Sequence, residues 1–440
     1  MNTVPHSDNG SPETVLVIGG GIAGLAAARE LSRKGRDVLL LEARPHLGGR
    51  ILTKQLAGET HVELGAEFVH GKSPALWRLF HNIPLAIREA SDRHLLGHAD
   101  GSLVPYPFQE TLQQVFSAIH REGPDQSVAQ FLAQHSFPSE LRRNAIDYVE
   151  GFHAADPTRF SMKALAAAEK SAERLQGDRN FRIAGGYGRL VRWFEEELRD
   201  SGVTMVLNAE VKTICWRQGF ASVEALVNGN LESFAANAVV ITLPLGVLKA
   251  DSVRFEPPLP EKQRALASVE TGHVTKVVLR FRESFWPEQF GFVHTFDEWL
   301  PTWWTNEDPF TLTAWAGGPR GERGAQARCE FLMERAVTVL AGIFSRSPEY
   351  VRARMEEVHT HNWHDDPFAR MAYSYVPVGE LDAPRRLAAP VADTLFFAGE
   401  ATDTDNQNGT VHGALNSGVR AAQELARAGV SGPLITSASV

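Results

Sequence analysis

Residues 15–50 read VLVIGGGIAGLAAARELSRKGRDVLLLEARPHLGGR, and this run limits the fold more tightly than any other part of the chain. Val15-Leu16-Val17-Ile18 is an apolar stretch rich in β-branched residues and bounded by glycine, the pattern of a buried strand. Gly19, Gly21 and Gly24 come next in G-x-G-x-x-G spacing. Ile22 to Lys34 then reads as a helix, with Ile22, Leu25 and Leu31 on one face and Gly35 as its stop. A second apolar strand, Val38 to Leu41, ends on Glu42. The glycines of such a strand–turn–helix–strand unit have separate tasks: a tight turn, close approach of a pyrophosphate, and close packing of helix on strand. The helix N-terminus adds unpaired N–H groups and partial positive charge. Glu42, 18 residues beyond Gly24, stands where a carboxylate accepts ribose hydroxyls and repels a 2′-phosphate. The expected ligand is a dinucleotide without that phosphate.

The glycine turn does not by itself choose between NAD and FAD. The residues after the second strand do. Arg44 and Gly48-Gly49-Arg50 supply a second glycine turn and a cation, where a plain dehydrogenase would continue into another βα unit. Val62-Glu63-Leu64-Gly65-Ala66-Glu67-Phe68-Val69-His70-Gly71 comes next. Here the chain resembles the flavin amine oxidase family, which includes monoamine oxidases, polyamine oxidases and lysine-specific histone demethylases. The resemblance implies FAD, and it implies an α/β fold: a Rossmann-type FAD-binding domain with an inserted mixed α+β substrate domain. It divides the chain into a discontinuous FAD-binding domain at 14–85, 186–270 and 390–430. The substrate domain takes 86–185 and 271–389, and 1–13 and 431–440 are flexible tails. Between these motifs, TLQQVFSAIHRE (111–122) and GGYGRLVRWFEEELRDSG (185–202) carry helical patterns, the latter stopped by Gly202. Strands are expected at Val203–Leu207, Val211–Trp216, Ala221–Val227, Ala238–Leu243, Thr275–Phe281 and Leu395–Ala398.

The second specific signal is Phe396-Phe397-Ala398-Gly399-Glu400-Ala401-Thr402, followed by Asn408-Gly409-Thr410-Val411-His412-Gly413. It reads as strand, glycine turn and a helix starting near Val411, which again aims N–H donors at a ligand. By resemblance Glu400 holds the ribityl or pyrophosphate region, the N–H near Val411 faces the flavin pyrimidine, and Gly65, Ala66, Glu67 and Val211 also belong to the cofactor site. Lys276 lies in a strand whose alternation puts it with Val278 and Arg280, opposite Val277, Leu279 and Phe281. A solvent-facing lysine is the plain reading; the resemblance instead sends Lys276 through a water to flavin N5, to assist reoxidation by O2. Trp363 and Tyr373 match a tryptophan that packs on the flavin and a tyrosine wall of the substrate cage, with core packing as the alternative. His70 matches a histidine near the substrate nitrogen, and Glu67 is a further candidate for binding a cation.

Two departures from the monoamine oxidases stand out. Met371 and Ala372 offer no thiol beside Tyr373, so FAD is expected to be non-covalent. Thr410 replaces a second cage tyrosine, which resembles the polyamine-oxidase and demethylase branch and leaves room for secondary or longer amines. His359, His361, His364, Asp365 and Asp366 look superficially like a metal cluster, but no Cys/His framework accompanies them and no metal is expected. Trp299, Trp303, Trp304 and Trp315 suit core packing first and pocket lining second.

Composition narrows the partners. Lys and Arg number 44 against 53 Asp and Glu, so the formal charge of −9 disfavours nucleic acid and mildly favours cationic ligands. Two cysteines make no disulfide framework and suit a cytoplasmic location. Neither a signal segment nor a stretch of about 18 apolar residues is visible, so no membrane association is expected. The expectation is therefore oxidation of a primary or secondary, polyamine-like amine to an imine that hydrolyses to an aldehyde, with O2 reduced to H2O2. An L-amino-acid oxidase or a desaturase on the same scaffold is the alternative, although no cation for a substrate carboxylate is identifiable. A non-enzymatic flavin-binding scaffold is disfavoured, since the appended helical domains of the demethylases are missing. The amine and the oligomeric state stay open.

Overall fold

The computed structural model describes residues 14–428 apart from 59, 99, 120–122, 288–289 and 297. The expected tails, 1–13 and 431–440, lie outside the described residues. A five-stranded parallel sheet takes the spatial order Thr204–Val206, Asp37–Leu41, Thr14–Ile18, Ala238–Ile241, Leu395–Phe397. Val15 pairs with Val38 on one side and Ala238 on the other, and Val239 pairs with Leu395. These strands are runs of Val, Ile, Leu and Phe because both faces are covered, as parallel sheets require. Val15, Val17, Val38, Leu40, Ala238 and Val240 pack under the helices Ile22–Arg33, Gly188–Asp200 and Val411–Ala428. Leu16, Ile18, Leu41, Val239 and Ile241 face the opposite way, onto a four-stranded sheet formed by Ala209–Arg217, Phe220–Val227, Asn230–Ala236 and Arg254–Glu256. The result is the α/β arrangement expected, here in three layers.

A seven-stranded sheet forms the other half, in the order Met355–Thr360, Val274–Phe281, Thr311–Gly317, Thr302–Thr305, Phe292–His294, His94–Gly97, Leu103–Pro105. One face of Val274–Phe281 (Val277, Leu279, Phe281) packs with the helix Cys329–Ile343. Its other face carries Val278 onto Val62 and Leu64. Both faces are therefore covered, and Lys276 is 3% exposed rather than solvent-facing. The helices Phe108–Phe116, Val128–Gln134, Ser139–Gly151 and Met162–Arg174 form a block beside this sheet.

The expected strands appear within two residues of their sequence limits. The helix expected over 111–122 instead spans Phe108–Phe116. Ala118 N–H and Ile119 N–H turn back to Val115 and Phe116 carbonyls, which tightens the chain out of the helix, and residues 120–122 lie outside the described residues. Gly202 ends the 188–200 helix as expected, at φ +77, with Val203 N–H donating to Leu198 O at 2.9 Å. No described helix is long and apolar enough to cross a membrane.

Candidate active site

One cavity of about 1020 Å³ runs from the glycine turns, between the two halves, to the helical block. That is the upper end of what small-ligand sites reach.

At one end the wall is main chain. A Cβ on Gly24 would lie 1.9 Å from Gly19 O, so this glycine lets helix and strand touch and does not itself line the cavity. A Cβ on Gly21 would meet no protein atom, so that face is open to a ligand. The Ile22–Arg33 helix has no side-chain cap and no acidic residue in its first turn, leaving its first N–H groups directed at the cavity. Gly48 N–H donates to Gly20 O at 2.9 Å and stacks the second glycine turn, with Gly49 and Arg50, on the first. Glu42 accepts from Gly20 N–H at 2.6 Å and from Arg44 N–H at 2.8 Å. Burial raises its pKa while those two donors hold it down, and one lone-pair site on each oxygen stays available for hydroxyls. This cradle fits a dinucleotide.

The charged residues nearby act on one another. Arg44 donates to Asp366 at 2.7 Å, and His361 Nε2 lies 2.7 Å from the other Asp366 oxygen. Burial pushes the Asp366 carboxyl up, but His361 and Arg44 outweigh it and hold the group well below the usual range. The His/Asp run thus clamps Arg44. His359 meets Lys54 and Glu357, and His364 meets His273. No metal-type grouping of three or more acidic, His or Cys residues occurs among the described residues. Arg50 donates to Ala372 O at 2.6 Å and to Glu400 at 3.0 Å. The other Glu400 oxygen accepts from Ser374 N–H, the Ser374 hydroxyl at 2.7 Å and Gly409 N–H at 2.9 Å. Glu400 is thereby a knot joining three segments, with one oxygen saturated by the chain.

Lys276 donates to Glu67 at 2.7 Å and to Gly65 O at 3.3 Å, which leaves one N–H. Glu67 also accepts from Arg182 at 2.9 Å and from the Trp304 indole at 2.9 Å. Burial raises the Glu67 pKa, yet the Lys276 and Arg182 charges bring it below the ordinary value. The cation bound by Glu67 is therefore the chain's own. Trp363 donates to Leu64 O at 3.0 Å and lines the cavity, as do Ala66, Val211 and Gly399.

Beyond Lys276 the wall becomes aromatic. The Tyr373 hydroxyl donates to Phe152 O at 3.0 Å, and a Cβ on Gly409 would lie 2.9 Å from the Tyr373 ring. Burial and the Glu400 charge raise the phenol's pKa, so Tyr373 stays neutral. Thr410 lines the cavity and caps the last helix: its hydroxyl accepts from Gly413 N–H at 3.0 Å and donates to Gln407 O at 2.7 Å. Val411 begins that helix beside it. His70 Nδ1 meets Asn180 Oδ1 at 2.7 Å, so Nδ1 carries the proton and Nε2 its lone pair; burial lowers the ring's pKa and keeps it neutral.

Sequence reasoning missed Phe68, Phe152, Arg182 and Asn180, and it left the tryptophans undivided. Trp303 is fully buried in the core, Trp299 packs against Phe331, and Trp304 and Trp315 line the cavity. Strand alternation at Trp303-Trp304 was the signal that could have separated them.

A family profile described as flavin containing amine oxidoreductase matches residues 22–426. The chain is 32% identical to polyamine oxidase 3 of Oryza sativa subsp. japonica, over 93% of this chain and 88% of that protein. It superposes on wild-type putrescine oxidase bound to putrescine with a TM-score of 0.80 at 21% identity, covering 95% of this chain and 99% of that one. Cyclohexylamine oxidase from Brevibacterium oxydans gives a TM-score of 0.79 at 23% identity with the same coverage. These two solved structures share the fold.

Proposed function

The chain belongs to the flavin-containing amine oxidoreductase family, and on that premise we propose that it oxidises polyamine-like primary or secondary amines with non-covalently bound FAD and O2. Residues of the glycine turns with Glu42, Arg50, Trp363, Gly399 and Val411 would hold the FAD. Bound FAD supplies an electron sink for the pair leaving the amine C–H bond, and O2 accepts it to give H2O2. The chain's own part is to bind, orient and dry the amine. Tyr373, fixed by its hydrogen bond to Phe152 O, and Trp304 present faces to the amine nitrogen. Neutral His70 offers an Nε2 lone pair to an amine N–H. Lys276, tied to Glu67, keeps one N–H for a water toward the flavin. The imine product hydrolyses to an aldehyde and an amine.

Thr410 supports the substrate class: a small residue stands at the helix start beside the Tyr373 ring, and the exposed part of the cavity lining includes Glu110, Glu173 and Asp178. An amino-acid oxidase reading is disfavoured, since the lining cations Arg44, Arg50 and Lys276 each already face a carboxylate. Non-covalent binding is supported by a lining without cysteine; Cys215 and Cys329 lie elsewhere and unpaired, as suits the cytoplasm. The domain division rests on the parallel sheet, which draws strands from 14–85, 186–270 and 390–430, while the seven-stranded sheet draws from 86–185 and 271–389.

A peroxide-coupled screen of polyamines, monoamines and L-amino acids tests this, with polyamines expected to lead and amino acids to give no peroxide. Thr410→Tyr is expected to lower kcat/KM for secondary and polyamine substrates at least about tenfold, about 1.4 kcal/mol, and small primary amines much less. Loss of the cap costs about 1 kcal/mol of stability, so retained FAD absorbance is the control. Equal losses for narrow and wide amines, or flavin left in an acid-precipitated pellet, would overturn the corresponding part of the reading.

A further inference from the structure

The far end of the cavity holds two histidines with no part in the amine oxidation proposed. His94 and His294 lie on neighbouring parallel strands, on the face that also carries Phe292. The His94 ring stacks on Phe108 at 4.7 Å and on Phe292 at 4.9 Å, and His294 stacks on Phe108 at 4.5 Å. His94 Nδ1 meets His294 Nε2 at 2.8 Å. His294, 3% exposed, has no hydrogen-bond partner at Nδ1 and faces Asp147 Oδ2 across 3.7 Å. Asp147, equally buried, is held on its other oxygen by Arg320 at 3.1 Å.

This relay has a direction. At 3.7 Å the two do not hydrogen-bond, but the Asp147 charge favours the His294 tautomer with its proton on the near nitrogen Nδ1, which leaves Nε2 its lone pair. That lone pair takes the proton of His94 Nδ1, and His94 Nε2 is left as an acceptor with no protein partner among the described residues. Both histidines line the cavity, and the ring contacts Lys276 to Trp304, Trp304 to Phe292 and Phe292 to His94 lead from its middle to them. Burial pushes the His94 pKa down to about 3, with His294 adding to the effect, so the acceptor is not lost to protonation near neutral pH.

We propose that His94 is the anchor for a second nitrogen of the substrate: its Nε2, oriented by Asp147 through His294, accepts an N–H from the amine distal to the one oxidised. The stacked phenyl rings would hold the methylenes between them. The proposal rests on the polyamine reading and adds the residue that distinguishes a polyamine from a monoamine of equal length.

The test compares spermidine with 1-nonylamine, a monoamine of similar chain length, as oxidised by the FAD-loaded enzyme. His94→Phe keeps a stacking ring and removes the acceptor. The spermidine-to-nonylamine ratio of kcat/KM is expected to fall at least about tenfold, through a rise in KM for spermidine with kcat within about twofold. His294→Phe, which frees His94 to turn its proton toward the cavity, should move the ratio the same way and covers the case in which His94→Phe fails to fold. A ratio unchanged within about twofold in a flavin-loaded variant overturns the anchor while leaving polyamine oxidation standing. A wild type that oxidises nonylamine but not spermidine overturns both.

Discussion

At the dinucleotide end of the cavity the wall is peptide backbone, placed by Gly19, Gly21, Gly24 and Gly49 within one short stretch. At the amine end it is side chains, drawn from Phe68 and His70 through Phe152, Trp304 and Tyr373 to Thr410. The first is rigid because hydrogen-bonded main chain forms it, and it recognises groups common to every dinucleotide. The second is held by contacts between distant segments, and each side chain can change without rebuilding a fold. Such a division lets one scaffold keep its cofactor while its substrate changes.

The largest expected effect separates two glycines at the backbone end. Gly24→Ala drives a Cβ into Gly19 O, and about 3 kcal/mol of overpacking should leave little yellow, soluble protein. Gly21→Ala meets no protein atom. It should leave the melting temperature of the flavin-free protein unchanged and weaken FAD at least about tenfold, about 1.4 kcal/mol, by absorbance titration. Equal destabilisation by both would break the distinction between packing and approach.

Where the two ends meet, Lys276→Met removes one partner from a buried ion pair. About 3 kcal/mol of stability should be lost in urea unfolding, less if Arg182 compensates at Glu67. Reoxidation by O2 should slow more than anaerobic reduction by amine. Stopped-flow traces with an unchanged oxidative rate would reduce Lys276 to a structural role.

The smallest effect concerns His412, in the helix both ends share. Burial, with His70 adding, pushes its pKa from 6.5 to about 3. The folded protein therefore binds fewer protons than the unfolded chain between those values. Stability from this group is complete above about pH 6.5 and falls by about 1.4 kcal/mol per unit as pH drops. His412→Gln should flatten the dependence between pH 6.5 and 5. A slope as steep as wild type would assign acid sensitivity elsewhere, with His94 the next candidate.

The same border separates the residues that sequence reasoning could read from those it could not. Gly19 to Glu42 is local, so strand, turn, helix and carboxylate declared themselves by spacing. The helix start at Val411 is readable for the same reason, while the part assigned to Thr410 comes from resemblance alone. Glu67 and Lys276 stand 209 residues apart, and Arg44 and Asp366 stand 322 apart. No periodicity connects such partners, so Lys276 was placed by resemblance and its ion pair went unseen. The acidic run near His361 looked like ligands because its partner, Arg44, is supplied by another part of the fold. His94 and His294 carry no local pattern at all; two strands in parallel register make them neighbours.

The parallel sheet has a consequence for how the protein is made. Ala238–Ile241 has no neighbour on one side until Leu395–Phe397 arrives, and the glycine-turn helix lacks its companion until 411–428 is translated. At about 5–20 residues per second, the ribosome takes roughly 20–80 s to reach that point. From the making of Ala238–Ile241 to that of Leu395–Phe397, about 8–31 s at the same rate, an apolar strand edge is open to the wrong partner, and the cradle still lacks Glu400 and Val411. Flavin loading then has to wait until Leu395–Phe397, Glu400 and the 411–428 helix have been made.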